Sequence, residues 1–326
     1  MTRRQHSMIA SSLYKLIGNA LSPAGRRARL SILIYHRVLA DTDPLFPNEP
    51  TAASFDRQMA LLKSVFTVLP LHEAAARLQA GTLPARAACI TFDDGYADNL
   101  TLATPILKKH GLHATFFIAT AYLNGGRMFN DTVIEAIRRS PLRTLNLDEL
   151  GLGKFDISGN ETRARAIGQI LPQVKYLPLD AREQAAARIA EFAQCGPLPN
   201  DLMMSTGQLK ALHAAGMEIG GHTARHPILA KLDTDAARKE MAAGQEFLEQ
   251  TLNTPIRLFA YPNGKPGADY QPEQAAIVRE LGFDAAVSTQ WGSATQSSDP
   301  LQLPRFTPWS SKPARFVPML LGNLRR

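Results

Sequence analysis

Short apolar runs alternate with stretches of helical spacing along most of this chain, and that rhythm limits its fold more than any other feature. Ser31–Tyr35, Ala87–Phe92, Ala114–Ile118, Met217–Gly220, Arg257–Tyr261 and Ala285–Ser288 are such runs, each four to six residues long. They are too short for buried helices and too continuously apolar for strands with one face in water, so they read as strands covered on both faces. The cover comes from the helical stretches. One opens at Ser54 with Phe55, Met59, Leu62 and Phe66 near one face, and others span Asp98–His110, Gln208–Ala215 and Glu273–Leu281. Alternation of this kind builds a mostly parallel sheet, so an α/β barrel is expected over residues 31–306.

Residues from about 125 to 202 break the rhythm. Helix-like segments near Thr132–Arg139 and Ala181–Ala193 are separated by Pro and Gly there. The stretch is expected to be a helical insertion on the barrel rim, acting as a lid or substrate wall. Residues 1–30 and 307–326 read as a basic amphipathic N-terminal segment and a basic C-terminal tail.

The formal charge of +7 looks like a nucleic-acid signature until it is divided along the chain. Residues 1–30 carry six Lys and Arg and no acid, and residues 305–326 carry five and no acid. Setting those eleven aside leaves 25 bases against 29 acids, so the body is mildly acidic and a nucleic-acid partner is disfavoured. In the N-terminal segment Ile9, Leu13, Leu16, Ile17, Ala20 and Leu21 recur at helical spacing, and Arg26, Arg27 and Arg29 follow. Such a helix either packs on the protein's own body or makes peripheral contact with an anionic membrane through the basic termini. Lys15, Gly18 and Asn19 interrupt the apolar core that a secretory signal needs, and no run of about 18 apolar residues exists to span a membrane. A cytoplasmic or membrane-peripheral location is expected, with export the weaker alternative. Cys89, in a strand, and Cys195 are too few for a disulfide framework.

Residues able to bind metal or move protons fall at the carboxyl ends of the expected strands, where α/β barrels build their sites. His36 follows the first run, Asp93-Asp94 the second, and His222 the Met217–Gly220 run. Taken alone, Asp93-Asp94 before Gly95 serves as well for a turn or a helix cap, and His-x-x-x-His at His222 and His226 is a weak signal. Together they say more. One Asp and two His hold a divalent metal with positions left open for water and substrate, and the other Asp stays free as a base. A metal on one carboxylate also relieves the repulsion between the two. A helical turn over 222–226 is expected to put both imidazoles on one face, with Gly220-Gly221 letting the chain turn out of its strand.

Thr91-Phe92-Asp93-Asp94-Gly95-Tyr96 and His222-Thr223-Ala224-Arg225-His226-Pro227 resemble the first and second motifs of the polysaccharide deacetylases, the NodB-homology or carbohydrate esterase 4 family. The resemblance runs from about Ser31 to Phe306. It implies a distorted (β/α)7 barrel that removes acetyl groups from a sugar polymer with a divalent metal, commonly zinc. It further implies Asp93 as general base and Asp94, His222 and His226 as metal ligands. Leu258-Phe259-Ala260-Tyr261-Pro262-Asn263-Gly264 is similar to the third motif, which implies the backbone N–H of Asn263 as an oxyanion donor. Ala260 stands where many members have an Arg that orients the base, and Arg305, in Leu303-Pro304-Arg305-Phe306, is the candidate replacement. The Leu-x-His motif that supplies the acid in many members has no match, since Leu301-Gln302-Leu303 lacks a His. Tyr35-His36-Arg37-Val38 is similar to the opening motif of the branch acting on poly-β-1,6-N-acetylglucosamine, which implies His36 as general acid.

The expected activity is metal-dependent removal of acetyl groups from an N-acetylated polysaccharide or glycan of an exopolysaccharide or cell envelope. One alternative is a catalytically silent carbohydrate-binding or assembly protein on the same barrel. Another keeps the chemistry and takes a lipid-linked saccharide. In the insertion, Asn130 or Asp131 is expected to cap a helix stapled by Phe129, or else to meet a sugar over the barrel mouth. Trp291 and Trp309 read as core or groove residues.

Overall fold

The structure is a computed structural model describing residues 3–308 and 313–325, so Trp309 lies outside the described residues. Helix α1 (Arg3–Leu21) is followed by β1 (Leu30–Tyr35), α2 (Ala52–Val65), the short β2 (Thr67–Val68), α3 (Leu71–Ala80) and β3 (Ala87–Phe92). Helix α4 (Thr104–His110) returns the chain to β4 (Thr115–Ile118). The alternation then stops for α5 (Phe129–Arg139), the hairpin of β5 (Thr144–Leu147) and β6 (Gly153–Asp156), α6 (Asn160–Lys175) and α7 (Leu179–Phe192). It resumes with α8 (Thr206–Ala214), β7 (Glu218–Gly221), α9 (Thr234–Leu252), β8 (Leu258–Ala260), α10 (Pro272–Glu280), β9 (Ala285–Trp291), β10 (Leu303–Arg305) and α11 (Pro313–Asn323).

Seven strands pair side by side in the order β1-β3-β4-β7-β8-β9-β10, all parallel. Just past β10, Phe306 donates to Ile32 O at 2.7 Å and accepts from Ile34 N at 3.0 Å, which brings the last strand back to the first. The sheet is therefore nearly closed into a barrel, as the apolar runs require. Every residue of β1 and β3 is buried, so neither strand has a water-facing side to alternate with. Rings of Tyr35, Phe92 and Phe116 stack across neighbouring strands at 5.4 and 4.8 Å, and each buried aromatic contributes roughly 1.5–3 kcal/mol.

Gly220 does a different job from the one its sequence context suggests. It lies inside β7, and a Cβ there would come within 2.5 Å of the Phe117 ring on β4. The glycine allows a close approach between strands; it does not make a turn.

The insertion carries its own hydrophobic cluster, in which Phe129, Val133, Ile137, Leu145, Phe155 and Ile189 are buried together. Leu45 and Phe46, from the loop after β1, join that cluster and tie it to the barrel. Of the six apolar residues that set the N-terminal helical pattern, Ile17 and Leu21 pack on the barrel core, together with Tyr14. Leu13 and Leu16 do not, at 54% and 68% exposure. Beyond residue 306, α11 buries Phe316, Val317, Leu320 and Leu321, and Leu324 just after it is buried too. Pro318 inside that helix hides its periodicity in the sequence. No helix among the described residues is long and apolar enough to cross a membrane.

Candidate active site and metal centre

Strand β3 ends at Phe92, and the Asp93 N–H is fixed to Tyr35 O on β1 at 3.0 Å. Asp94 then takes φ 77° and Gly95 φ 93°, a left-handed turn that is costly for a non-glycine residue and that separates the two carboxylates. Asp93 faces Arg305. Its Oδ1 accepts from Nη1 and its Oδ2 from Nη2, both at 2.7 Å, a two-pronged geometry that only a guanidinium offers. Arg305 is 1% exposed and is itself held by Nε donating to Ser288 O at 2.9 Å and Nη1 to Thr91 Oγ1 at 3.2 Å. Burial alone would push the Asp93 carboxyl up, but Arg305 outweighs it and holds the group below the usual carboxylate range. Asp93 is thus ionised at neutral pH.

Asp94 faces the histidines. Ligand atoms of Asp94, His222 and His226 all lie within 4.8 Å of one another. Asp94 Oδ1 sits 3.4 Å from His222 Nε2 and 3.5 Å from His226 Nε2, and it is buried with no hydrogen-bond partner. His222 Nδ1 lies 2.7 Å from Ala260 O, and only a protonated nitrogen can bond to a carbonyl. In the neutral ring Nε2 therefore carries a lone pair directed toward the orphaned carboxylate oxygen. Burial lowers the His226 pKa to about 3 despite the nearby Asp94, so this ring too is neutral. At His222 burial acts the same way, yet Asp94 and Asp93 reverse it and raise the pKa. Lone pairs converging on one buried point need a cation between them. The donor set of one carboxylate and two imidazoles fits a divalent metal, whose binding would displace the proton His222 otherwise attracts.

The His222–His226 segment is not the helical turn that its spacing suggests. Thr223 and His226 take φ 63° and 51°, and the imidazole centroids end 4.7 Å apart. Other elements impose that shape. On α9, Glu240 accepts from Ala224 N at 3.0 Å through its carbonyl and from Arg225 N at 2.8 Å through Oε2. Gly244 lets the same helix approach so closely that a Cβ would sit 2.7 Å from Thr223 C. From the insertion, Arg182 on α7 is 1% exposed and donates through Nη2 to Arg225 O at 3.2 Å and His226 O at 3.1 Å. Its guanidinium lies 4.4 Å from the centre of the Phe129 ring. None of these supports carries a strand-end signal. A glycine inside the helical pattern at 244 was the one available hint.

His36, Asn263, Asp93, Asp94, His222 and His226 line one cleft of about 760 Å³. Asn263 has φ 58° and its C=O accepts from Thr289 Oγ1 at 2.6 Å, while its N–H donates to no backbone acceptor among the described residues. Insertion residues Met128, Phe129, Asn130, Asp131 and Ile134 form part of the facing wall. Asn130 and Asp131 do not cap α5, whose N-cap is Met128 with no side-chain bond. Asp131 instead accepts from the Tyr96 hydroxyl, 3.1 Å from both carboxylate oxygens. Burial, reinforced by Asp94 and opposed by Arg37, pushes Asp131 up to about 7. Farther along, the Tyr176 hydroxyl at the end of α6 donates to Asp269 Oδ1 at 3.2 Å, tying the insertion to the loop after β8. The Tyr96–Asp131 pair and Arg182 were missed at the level of sequence.

Comparison with known proteins identifies the family of the chain. The chain matches the family model described as Polysaccharide deacetylase over residues 80–144 and 184–286, leaving a gap within the insertion. YxkH of Bacillus subtilis, provisionally named a polysaccharide deacetylase, is 36% identical over 271 residues, covering 82% of this chain and 67% of that protein. Streptococcus pyogenes deacetylase PplD, solved in complex with acetate, has a similar fold, with a TM-score of 0.60 and 21% identity over 92% of this chain and 99% of that one. IcaB from Ammonifex degensii is similar at a TM-score of 0.59 and 20% identity, covering 94% of this chain and 99% of its own. With both Asp93-Asp94 and His222–His226 inside the matched segments, the chain belongs to the polysaccharide deacetylase family.

Proposed function

We propose that this protein is a metal-dependent hydrolase that removes N-acetyl groups from a polysaccharide or glycan. One observation carries the reading: a carboxylate gripped by a buried Arg305 stands next in the chain to a carboxylate that meets two imidazoles around one point. Asp94, His222 and His226 would hold the metal, and their mixed oxygen and nitrogen donors suit zinc. A divalent ion held by these three residues would supply Lewis acidity toward an acetyl carbonyl and a water.

The remaining steps belong to the chain. Asp93 takes the proton of the attacking water, because its oxygens keep lone pairs beyond those that Arg305 occupies. Arg305 fixes the plane of that carboxylate. The Asn263 N–H donates to the oxygen that gains charge as the carbonyl becomes tetrahedral. His36, on the β1 side of the same cleft, gives a proton to the leaving amine.

Metal analysis of the purified protein, combined with acetate release from N-acetylglucosamine oligomers and lipid-linked sugars with added zinc or cobalt, tests the reading. Asp93→Asn should lower acetate release by about 10²–10⁴-fold while metal content stays near wild type. Loss of metal in that variant would mean that the two Asp roles are exchanged. A metal-loaded protein that binds oligomers and releases no acetate would be the silent binding protein instead.

A further inference from the structure

We propose that α1 and the loop after it form a docking surface for an anionic phospholipid membrane, at the end of the barrel opposite the cleft. Two independent features meet there. The first is an apolar stripe. Leu13, Leu16 and Ala20 lie at helical spacing on the face of α1 turned away from the core, exposed to solvent, while Tyr14, Ile17 and Leu21 take the packing face.

The second is a basic hollow of about 520 Å³ that begins where the stripe ends. Ala20 lines it together with Asn19, Thr295 and three arginines, Arg26, Arg27 and Arg29, and no acidic residue lines it. Arg29 Nη1 donates to Ser293 Oγ at 3.2 Å, while neither Arg26 nor Arg27 pairs with a carboxylate among the described residues. The terminal charges, far apart in sequence, also come together. Gly18 of α1 lies against Leu321 of α11, and Asn323 Nδ2 donates to Ser31 Oγ at 2.8 Å, which brings the exposed Arg325 to the same end. Lys15 adds another exposed base beside the two leucines. Meanwhile Arg305, counted by sequence among the terminal bases, is buried in the site and takes no part.

An apolar stripe flanked by two arginines, Arg26 and Arg27, that pair with no carboxylate among the described residues is the pattern of a helix lying in a lipid interface, with guanidinium groups on headgroup phosphates. The segment also fixes the orientation of the docked protein. Gly25 N donates to Leu83 O and Arg86 N to Ser22 O, just before β3, so the loop sits at the amino ends of the strands. The cleft is at their carboxyl ends. A protein docked through α1 therefore holds its cleft away from the lipid, which favours a substrate in the water phase over a saccharide still in the bilayer.

The test is co-sedimentation of the full chain with phosphatidylcholine vesicles, with and without about one-third phosphatidylglycerol, at low salt and at ~0.5 M salt. Binding should require the anionic lipid and be lost in high salt. The double variant Arg26→Gln/Arg27→Gln should lower partitioning roughly fivefold per charge removed. Leu13→Ser/Leu16→Ser should lower it by about tenfold or more. Both variants should keep the thermal midpoint and the activity of the wild type toward soluble oligomers, showing that the fold is intact. Equal binding to neutral vesicles, no binding, or full binding by the leucine variant would each overturn the proposal. So would a wild-type dimer that the leucine variant converts to monomer without any vesicle binding, since a second copy would then be what covers the stripe.

Discussion

The barrel end and the insertion face each other across one cleft, and the carboxylates nearest the three candidate ligands are held differently on the two sides. On the barrel side each buried carboxylate meets a cation or a set of donors suited to one: Asp93 has Arg305, and Asp94 points between His222 and His226. On the insertion side two buried carboxylates line the wall: Glu135 pairs with Arg138 and Arg139, whereas Asp131 has only the Tyr96 hydroxyl and rises toward neutrality. The barrel half is built to keep charge in place for chemistry. The insertion half leaves Asp131 without a cation of its own, yet through Arg182 it reaches under the wall to hold the His226 loop. An insertion of this kind is a support of the site as well as a boundary.

The largest expected effect breaks the barrel half at its pair. Arg305→Met keeps much of the volume but leaves Asp93 buried without a counter-charge, which should cost about 3–5 kcal/mol of stability and most of the acetate release. Urea unfolding and turnover measure the two losses. A cost below about 1 kcal/mol would show that Asp93 is less dependent on pairing than its burial implies. His36→Ala comes next, with turnover down about 100-fold and metal retained. Because His36 is only half-buried, stability should move by less than about 1 kcal/mol. Unchanged turnover would remove His36 from the mechanism.

How much of this was legible in the sequence follows the same division. Asp93-Asp94 and the two histidines stand directly after apolar runs, so their place at strand ends could be read locally. Arg305 could be only a candidate, because its partner is 212 positions away and no local pattern links them. The shape of the His222–His226 loop was misread because spacing four apart suggests a helix. A β-branched Thr223 at φ 63° is something only contacts with α9 and α7 can impose. Asp131 was misread for a related reason: Asx residues near a helix start usually cap it, and here the helix begins earlier and the side chain turns to Tyr96 instead.

Asp131 sharpens the contrast through pH. In metal-free protein its folded pKa of about 7 exceeds the value near 4 of an unfolded Asp. The folded state therefore binds this proton more tightly, and the stability linked to it is fully present below about pH 4 and lost as pH rises toward about 7. An amide in place of this carboxyl would be neutral throughout and would keep an oxygen for the Tyr96 hydroxyl. Asp131→Asn should match wild type near pH 4 and exceed it by on the order of 4 kcal/mol near pH 8 in denaturant unfolding. A difference that does not change with pH would mean that Asp131 is stabilised as an anion, as the barrel carboxylates are.

The smallest effect tests whether the insertion is more than a wall. Arg182 touches neither metal ligand atoms nor the cleft chemistry; it donates to the carbonyls of Arg225 and His226, where the backbone at His226 is left-handed. Arg182→Met fills similar space against Phe129 and removes those donors together with the guanidinium charge over that ring. The His226 loop should then lose orientation without losing a ligand, lowering metal affinity by about tenfold. Turnover at saturating metal should stay close to wild type, since Asp93, His36 and Arg305 are untouched. Competition with a chelator reads the affinity directly. An unchanged affinity would return the insertion to the role of a wall, and loss of turnover at full metal loading would place Arg182 closer to the reacting groups than its hydrogen bonds do.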